Sequence, residues 1–135
     1  DTDRGIADFV IWLGDLNYRI DLARSEIEAA IRSHDIEGLV ASDQLRKAQA
    51  EGKAAKGYRE GPLSFAPTYK FDPASDTYDS SAKARSPAWT DRILFRARVR
   101  AELELLSYTA AEDVKSSDHR PVTALFEVAC AAPTP

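Results

Sequence analysis

Three groups of polar residues carry the chemistry of this sequence: Asp15 with Asn17, then Asp91, then Asp118 with His119. A carboxylate, an amide and an acid–imidazole pair that converge can transfer a phosphoryl group to water. In such a site Asp15 orients and deprotonates the water, and Asn17 donates to a phosphate oxygen. A protonated His119 stabilises the charge that develops on the equatorial oxygens. The histidine needs an acceptor to fix its tautomer, and either Asp91 or Asp118 can supply it. Each group has a plainer reading when taken alone. Gly14-Asp-Leu-Asn17 is good turn chemistry after a strand, and Ser116-Ser-Asp-His-Arg-Pro121 reads as a loop closed by proline. What favours a site is that all three groups fall at predicted strand ends.

The elements that must position them follow from the apolar pattern. Phe9-Val-Ile-Trp-Leu13 is a continuous apolar run ended by Gly14, and it predicts a strand buried on both faces. Leu22, Ile27, Ala30 and Ile31 predict a helix over about 21–33, with Ser25 and Glu28 spaced as a capping box. Ile36, Leu39 and Val40 behind an Asp35 cap predict a second over about 36–49. A Gly- and Pro-rich surface loop follows from Gln49 to Pro67, and then a long loop from Thr68 to Pro87, a length at which ordered loops are often functional. Ile93 to Phe95 reads as a strand. Val99, Ala101, Leu103 and Leu105 alternate with Arg100, Glu102 and Glu104 as another, and Val122 to Val128 as a last one. The tail from Ala131 to Pro135 is expected to fray. The order predicts a mixed α/β layer architecture, in which the run from Phe9 to Leu13 demands more cover than the chain obviously offers.

Composition narrows the functions available. With 135 residues the chain forms one domain at most, and 18 basic against 22 acidic residues leave a net charge of −4, which argues against bulk nucleic-acid binding. No apolar run approaches the length of a bilayer-spanning helix. A lone cysteine, Cys130, excludes an internal disulfide and a multi-cysteine zinc site, and fits a reducing, cytoplasmic compartment. The sequence opens on Asp1 with neither an initiator Met nor a signal core, so we expect a processed chain or a piece of a longer one. Between Lys83 and Arg100 stand six basic residues and one acid, a balance that suits a phosphate-bearing partner. Arg96, Arg98 and Arg100 are expected to point outward from a solvated strand. Trp12 and Trp89 read as core or loop anchors, and no chemistry is assigned to them, to His34 or to Cys130.

Four motifs carry a resemblance: Trp12-Leu-Gly-Asp-Leu-Asn-Tyr-Arg19; Phe65-Ala-Pro-Thr-Tyr-Lys-Phe-Asp-Pro73 with Ser75-Asp-Thr-Tyr-Asp79; Ser86-Pro-Ala-Trp-Thr-Asp-Arg-Ile-Leu94; and Ser117-Asp-His-Arg-Pro-Val122. In order and spacing they closely resemble the inositol polyphosphate 5-phosphatases, over nearly everything from Phe9 to Val128. The resemblance implies the α/β (α+β) fold of the endonuclease/exonuclease/phosphatase superfamily, a two-sheet β-sandwich flanked by helices with the site at the sheet ends. By motif, Asp15 is the residue that activates water, Asn17 a phosphate ligand, His119 the group on the scissile phosphate and Asp91 the partner that orients it. Asp118 is expected near a Mg²⁺ ion as a hydrogen-bonding or secondary ligand. Tyr69, Lys70, Lys83 and Arg85 are expected to read the 4-phosphate beside the scissile 5-phosphate. Arg19 is a lesser candidate, since an Arg beside a turn is often a structural donor.

The implied partners are a phosphoinositide lipid, met by peripheral membrane contact, or a soluble inositol phosphate, with no nucleic acid. The departure from the family is one of extent. Its amino-terminal half supplies an Asn, the Glu that binds Mg²⁺ and a further His, and no segment before Phe9 can play those parts. The expectation is therefore a carboxyl-terminal half with little activity alone. Two rival functions are a nuclease of the same superfamily and a non-catalytic module that binds phosphoinositide head groups.

Overall fold

The computed structural model describes residues 7–130. In chain order its elements are β1 (Phe9–Asp15), α1 (Arg24–Arg32), α2 (Ile36–Val40), α3 (Gln44–Ala50), β2 (Arg59–Glu60), β3 (Asp91–Ala97), a 3-10 turn (Arg100–Glu102), β4 (Leu103–Ala110) and β5 (Val122–Val128). One antiparallel sheet has the order β1-β3-β2, and β4 and β5 form a second. The expected frayed tail, Ala131 to Pro135, lies outside the described residues.

The core forms where the two sheets and the helices meet. Ile27 of α1 and Leu39 of α2 are fully buried with Trp89, and they join Ile20, Leu63, Phe65, Ile93 and Tyr108 in one cluster. Aromatic edges tie the layers together: Phe95 of β3 meets Phe126 of β5 at 5.0 Å, and Phe65 meets Tyr108 of β4 at 5.2 Å. Gly61 stands where β4 comes closest, since a Cβ there would lie 2.4 Å from the Leu105 side chain.

A buried ionic network fastens the same region. The Arg92 guanidinium, wholly shielded from solvent, donates to both carboxylate oxygens of Asp43 at 2.9 Å and to both of Glu60 at 2.7 and 2.9 Å. Tyr108 donates its hydroxyl to Glu60 at 2.7 Å and accepts from the Ile93 amide at 3.3 Å, so a side chain of β4 takes over where the two-residue β2 ends. Burial and the neighbouring Glu60 carboxylate push the Tyr108 phenol far above its ordinary range.

The network explains one departure from expectation. The predicted helix over 36–49 is broken into α2 and α3, because Asp43 caps α3 by accepting from the Arg46 amide at 3.0 Å while both its oxygens face Arg92. Asp35 caps α2, as its position suggested, accepting from the Gly38 amide. The start of α1 also differs. Its N-cap is Ala23, whose amide donates to Glu26, and Glu28 is engaged instead by Arg24 at 2.8 Å. The strand expected from Val99 begins at Leu103, the first buried residue of that stretch, because Arg100–Glu102 turn as a 3-10 helix; the side chain of Ala101 lies outside the description.

The largest departure concerns β1. Its expected burial on two faces is not met, since Ile11, Trp12 and Leu13 are 39%, 45% and 63% exposed. Trp12 lies on the surface, edge-on to Tyr58, whereas Trp89 is buried and donates its indole N–H to the Phe65 carbonyl. Arg96, Arg98 and Arg100 are all exposed.

Candidate active site

Strand register brings the first two acids together. β1 pairs with β3 residue for residue from Phe9↔Ala97 to Asp15↔Asp91, so both carboxylates stand at the same end of the sheet. The Leu16 amide donates to the Thr90 carbonyl at 2.8 Å and carries the pairing one step further. Gly14, at φ 143°, adopts a backbone conformation that other residues rarely reach. Asn17 sits at φ 60°, and its amide donates to Asp15 Oδ1 at 2.9 Å, the local turn chemistry expected of Asx residues. Its side-chain oxygen accepts from Arg19 at 2.5 Å, which leaves the Asn17 NH₂ as its donor end.

The histidine arrives from a loop stitched to the long 68–87 segment. The Phe71 amide donates to the Asp118 carbonyl and the Arg120 amide to the Thr68 carbonyl, both at 2.8 Å, and Tyr69 in turn exchanges backbone bonds with Ala88. These pairings set His119 Nδ1 2.6 Å from Asp91 Oδ2, whereas its Nε2 is 3.9 Å from Asp118 Oδ1. Of the two acids that the sequence left open as partners, the hydrogen bond goes to Asp91. Asp15, Asp91 and His119 each place one donor atom within 4.8 Å of the others. His119 and Asp91 line a cleft of about 300 Å³ with Gly14, Ser117 and Pro121.

The expected substrate-reading residues divide into two positions. Arg19, Lys83 and Arg85 line one open cleft of about 450 Å³, a concentration of three cations. The Tyr69 ring packs 4.7 Å from the His119 ring and lies 4.9 Å from the Arg19 guanidinium, so it connects that cleft to the histidine. Lys70 is half-buried, and its charge acts on Asp72 and Asp79. One residue to which the sequence assigned no role is Thr90, whose hydroxyl donates to Asp91 Oδ2 at 3.2 Å. A hydroxyl directly before the strand's first acid was the available signal.

Asp79 organises the loop that carries the cations. Its carboxylate is buried, and hydrogen bonds from Ser81 and from the Arg85 amide hold it well below the usual carboxylate range. Because the folded value is depressed, its stabilisation is complete above the unfolded value and is lost as pH falls through the folded one. We therefore expect the Ser81 and Arg85 amide resonances to keep their hydrogen-bonded shifts down to about pH 4, where an ordinary aspartate is already half protonated, and to lose them only at lower pH. Loss of those shifts between pH 7 and about pH 4 would count against this role for Asp79.

The donor set also fits a hard divalent cation. Asp15, Asp91 and His119 bring two carboxylates and an imidazole within 4.8 Å of one another, and an ion that keeps several waters and shares substrate phosphates needs only one or two carboxylates.

Comparison with known proteins shows the family. Residues 3–125 match the endonuclease/exonuclease/phosphatase family 2. The chain is 45% identical over 119 residues to the phosphatidylinositol 4,5-bisphosphate 5-phosphatase INP51 of Saccharomyces cerevisiae, covering 88% of this chain and 12% of that protein. The inositol polyphosphate 5-phosphatase domain of SpSynaptojanin, solved in complex with inositol (1,4)-bisphosphate and calcium ion, superposes with a TM-score of 0.81 at 42% identity, over 90% of this chain and 36% of that one. Cimex nitrophorin, solved as a ferrous NO complex, superposes with a TM-score of 0.83 at 40% identity, over 92% of this chain and 43% of that one. The architecture thus serves more than one chemistry, and the site must decide between them. The family match over residues 3–125 and the identity shared with these relatives place the chain in the endonuclease/exonuclease/phosphatase family, as part of an inositol polyphosphate 5-phosphatase domain.

Proposed function

We propose that this chain serves the Mg²⁺-dependent hydrolysis of the 5-phosphate of phosphoinositides, such as phosphatidylinositol 4,5-bisphosphate, or of soluble inositol polyphosphates. The observation that carries the reading is the 2.6 Å bond between Asp91 and His119 Nδ1, with Asp15 beside it on the paired strand. Asp15 accepts a proton from the attacking water, whose oxygen forms the new bond to phosphorus as the bond from phosphorus to the inositol oxygen breaks. Asp91 holds the Nδ1 proton, which directs Nε2 to the phosphoryl oxygens, and the Asn17 NH₂ donates to the same group. Asp118 is the residue of this chain that would help to hold Mg²⁺, which when bound supplies neutralisation of phosphoryl charge. Arg19, Lys83 and Arg85, with Tyr69 and Lys70 behind them, supply fixed cationic donors for the neighbouring 4-phosphate.

The leaving inositol oxygen takes a proton from solvent water, and the products are an inositol with a free 5-hydroxyl and inorganic phosphate. Contact with a lipid substrate would be peripheral, on the cytoplasmic side; among the described residues no helix is long and apolar enough to cross a membrane. The chain on its own is expected to release little phosphate, since a site that shares its metal with residues outside this sequence binds the metal poorly.

The test is phosphate release from the 4,5-bisphosphorylated lipid and from its 4-phosphorylated counterpart, with and without Mg²⁺, by a complete domain carrying this chain. Release is expected only from the first, only with Mg²⁺, and at a rate lowered at least about 100-fold by Asp15→Asn. Equal release from both lipids, or a rate indifferent to Asp15→Asn, would sink the proposal. Head-group binding without any release would point to the non-catalytic alternative.

A further inference from the structure

The segment that leaves the phosphoryl-transfer site after Asn17 is held by the first residue of α3. The Gln44 backbone N–H donates to the Arg19 carbonyl at 2.9 Å, and the Gln44 side chain returns the bond, its Oε1 accepting from the Arg19 amide at 3.0 Å. Both backbone groups of Arg19 are thus paired with a single residue 25 positions away. The Gln44 side chain is itself fixed from its other end. Its NH₂ donates to Asp21 Oδ1 at 2.8 Å, while Lys47 donates to Asp21 Oδ2 at 2.8 Å. A carboxylate only accepts, so the NH₂ must face Asp21 and the amide oxygen is left for Arg19. The same two hydrogen bonds, that from Gln44 first, hold Asp21 below the usual carboxylate range.

Arg19 is the residue through which this clamp reaches substrate. Its guanidinium donates to Asn17 at 2.5 Å, lies 4.9 Å from the Tyr69 ring centroid, and lines the cationic cleft with Lys83 and Arg85. The other two cations take their positions elsewhere, the Lys83 amide donating to Ser81 Oγ and the Arg85 amide to Asp79. Gln44 itself lines neither that cleft nor the one beside His119. A planar fork is aimed at a phosphate only when its stem starts from a fixed backbone. Asn17, by contrast, has anchors of its own. Its amide donates to Asp15 at 2.9 Å, and the adjoining Leu16 amide donates to the Thr90 carbonyl. Slack at Arg19 is therefore felt in the cationic cleft before it is felt at the scissile phosphate.

We propose that Gln44 is a positioning residue for substrate discrimination: by fixing the Arg19 backbone at both its amide and its carbonyl, it aims the Arg19 guanidinium at a phosphate neighbouring the scissile one. This role rests on the 4-phosphate reading proposed for the cationic cleft.

The test compares a complete domain carrying this chain with its Gln44→Ala and Arg19→Gln variants and with the double variant Gln44→Glu, Asp21→Asn. Each is assayed on the 4,5-bisphosphorylated lipid and on the lipid phosphorylated at position 5 alone. The ratio of the two kcat/KM values in one preparation is blind to an unfolded fraction, which lowers both equally. Wild type is expected to prefer the bisphosphorylated lipid. Gln44→Ala, which deprives the Arg19 amide of its acceptor, is expected to reduce that preference about 3–10-fold, mainly by raising KM for the bisphosphorylated lipid. The double variant reverses the bond between the two side chains and keeps an oxygen for the Arg19 amide, so it is expected to restore most of the preference. Two results overturn the role of Gln44 alone: a preference that Gln44→Ala keeps, whether or not Arg19→Gln loses it, and a loss that the double variant does not restore. A wild-type domain with no preference between the lipids overturns the 4-phosphate reading and the role of Gln44 together.

Discussion

Asp91→Asn in a complete domain is expected to slow phosphate release by about 10²–10⁴-fold while leaving Tm nearly unchanged. The substitution keeps the shape of the side chain and its place at the end of β3, opposite Asp15. What it removes is an acceptor-only group 2.6 Å from His119 Nδ1. An amide in that place can turn its NH₂ toward the ring, which obliges Nδ1 to accept and moves the imidazole proton to the face meant for substrate. The Thr90 hydroxyl, which now donates to the same carboxylate oxygen, does not prevent that turn, because it can accept from the amide NH₂ instead. The measurement is kcat for the 4,5-bisphosphorylated lipid alongside thermal unfolding of the same preparation. A loss under tenfold would remove His119 orientation from the mechanism, and a loss matched by a large fall in Tm would make the effect one of folding.

The second large effect is on stability. Asp43→Ala is expected to cost about 3–5 kcal/mol, because it leaves the Arg92 guanidinium buried with one of its two carboxylate partners gone. It also removes the cap of α3, worth about 1 kcal/mol. Asp43→Asn separates the two contributions. Asparagine caps helices as well as aspartate does, so that variant can retain the bond to the Arg46 amide while it loses the charge facing Arg92 and one of the two bonds that Arg92 makes there. Urea unfolding of complete domains carrying the three sequences should therefore rank wild type above Asp43→Asn above Asp43→Ala. If Asp43→Ala lost less than about 1 kcal/mol, the network would be ornamental, since a cap alone accounts for that much.

Local patterns in the sequence revealed what local physics decides. The apolar run from Phe9, the last strand from Val122 to Val128 and the Asp35 cap all follow from side chains within a few positions of one another, and the structure has them. The convergence of Asp15, Asp91 and His119 was legible because each falls at the end of a strand. Long-range pairing was not legible. The break between α2 and α3 depends on Arg92, 49 positions beyond Asp43, and no periodicity of the 36–49 segment reports a partner so distant. The choice between Asp91 and Asp118 depends on how the 118–120 loop is stitched to Thr68 and Phe71, which spacing does not encode. The exposure of Ile11, Trp12 and Leu13 has a related cause. An apolar run states that a surface prefers cover, and says nothing of whether cover is present.

That uncovered strand also governs how the chain behaves in a test tube. In the order β1-β3-β2, β1 is an outer strand among the described residues, and its outer backbone edge runs beside exposed Ile11, Trp12 and Leu13. An open edge with apolar side chains is a template for recruiting further strands, and natural proteins blunt such edges with charge, proline or a bulge. The pairing of β1 with β3 is continuous from Phe9 to Asp15, and the run itself contains neither charge nor proline before Asp15. Purified alone, the chain would aggregate in proportion to its concentration, and a lysine in place of Leu13, the most exposed of the three, would be the simplest gatekeeper against it.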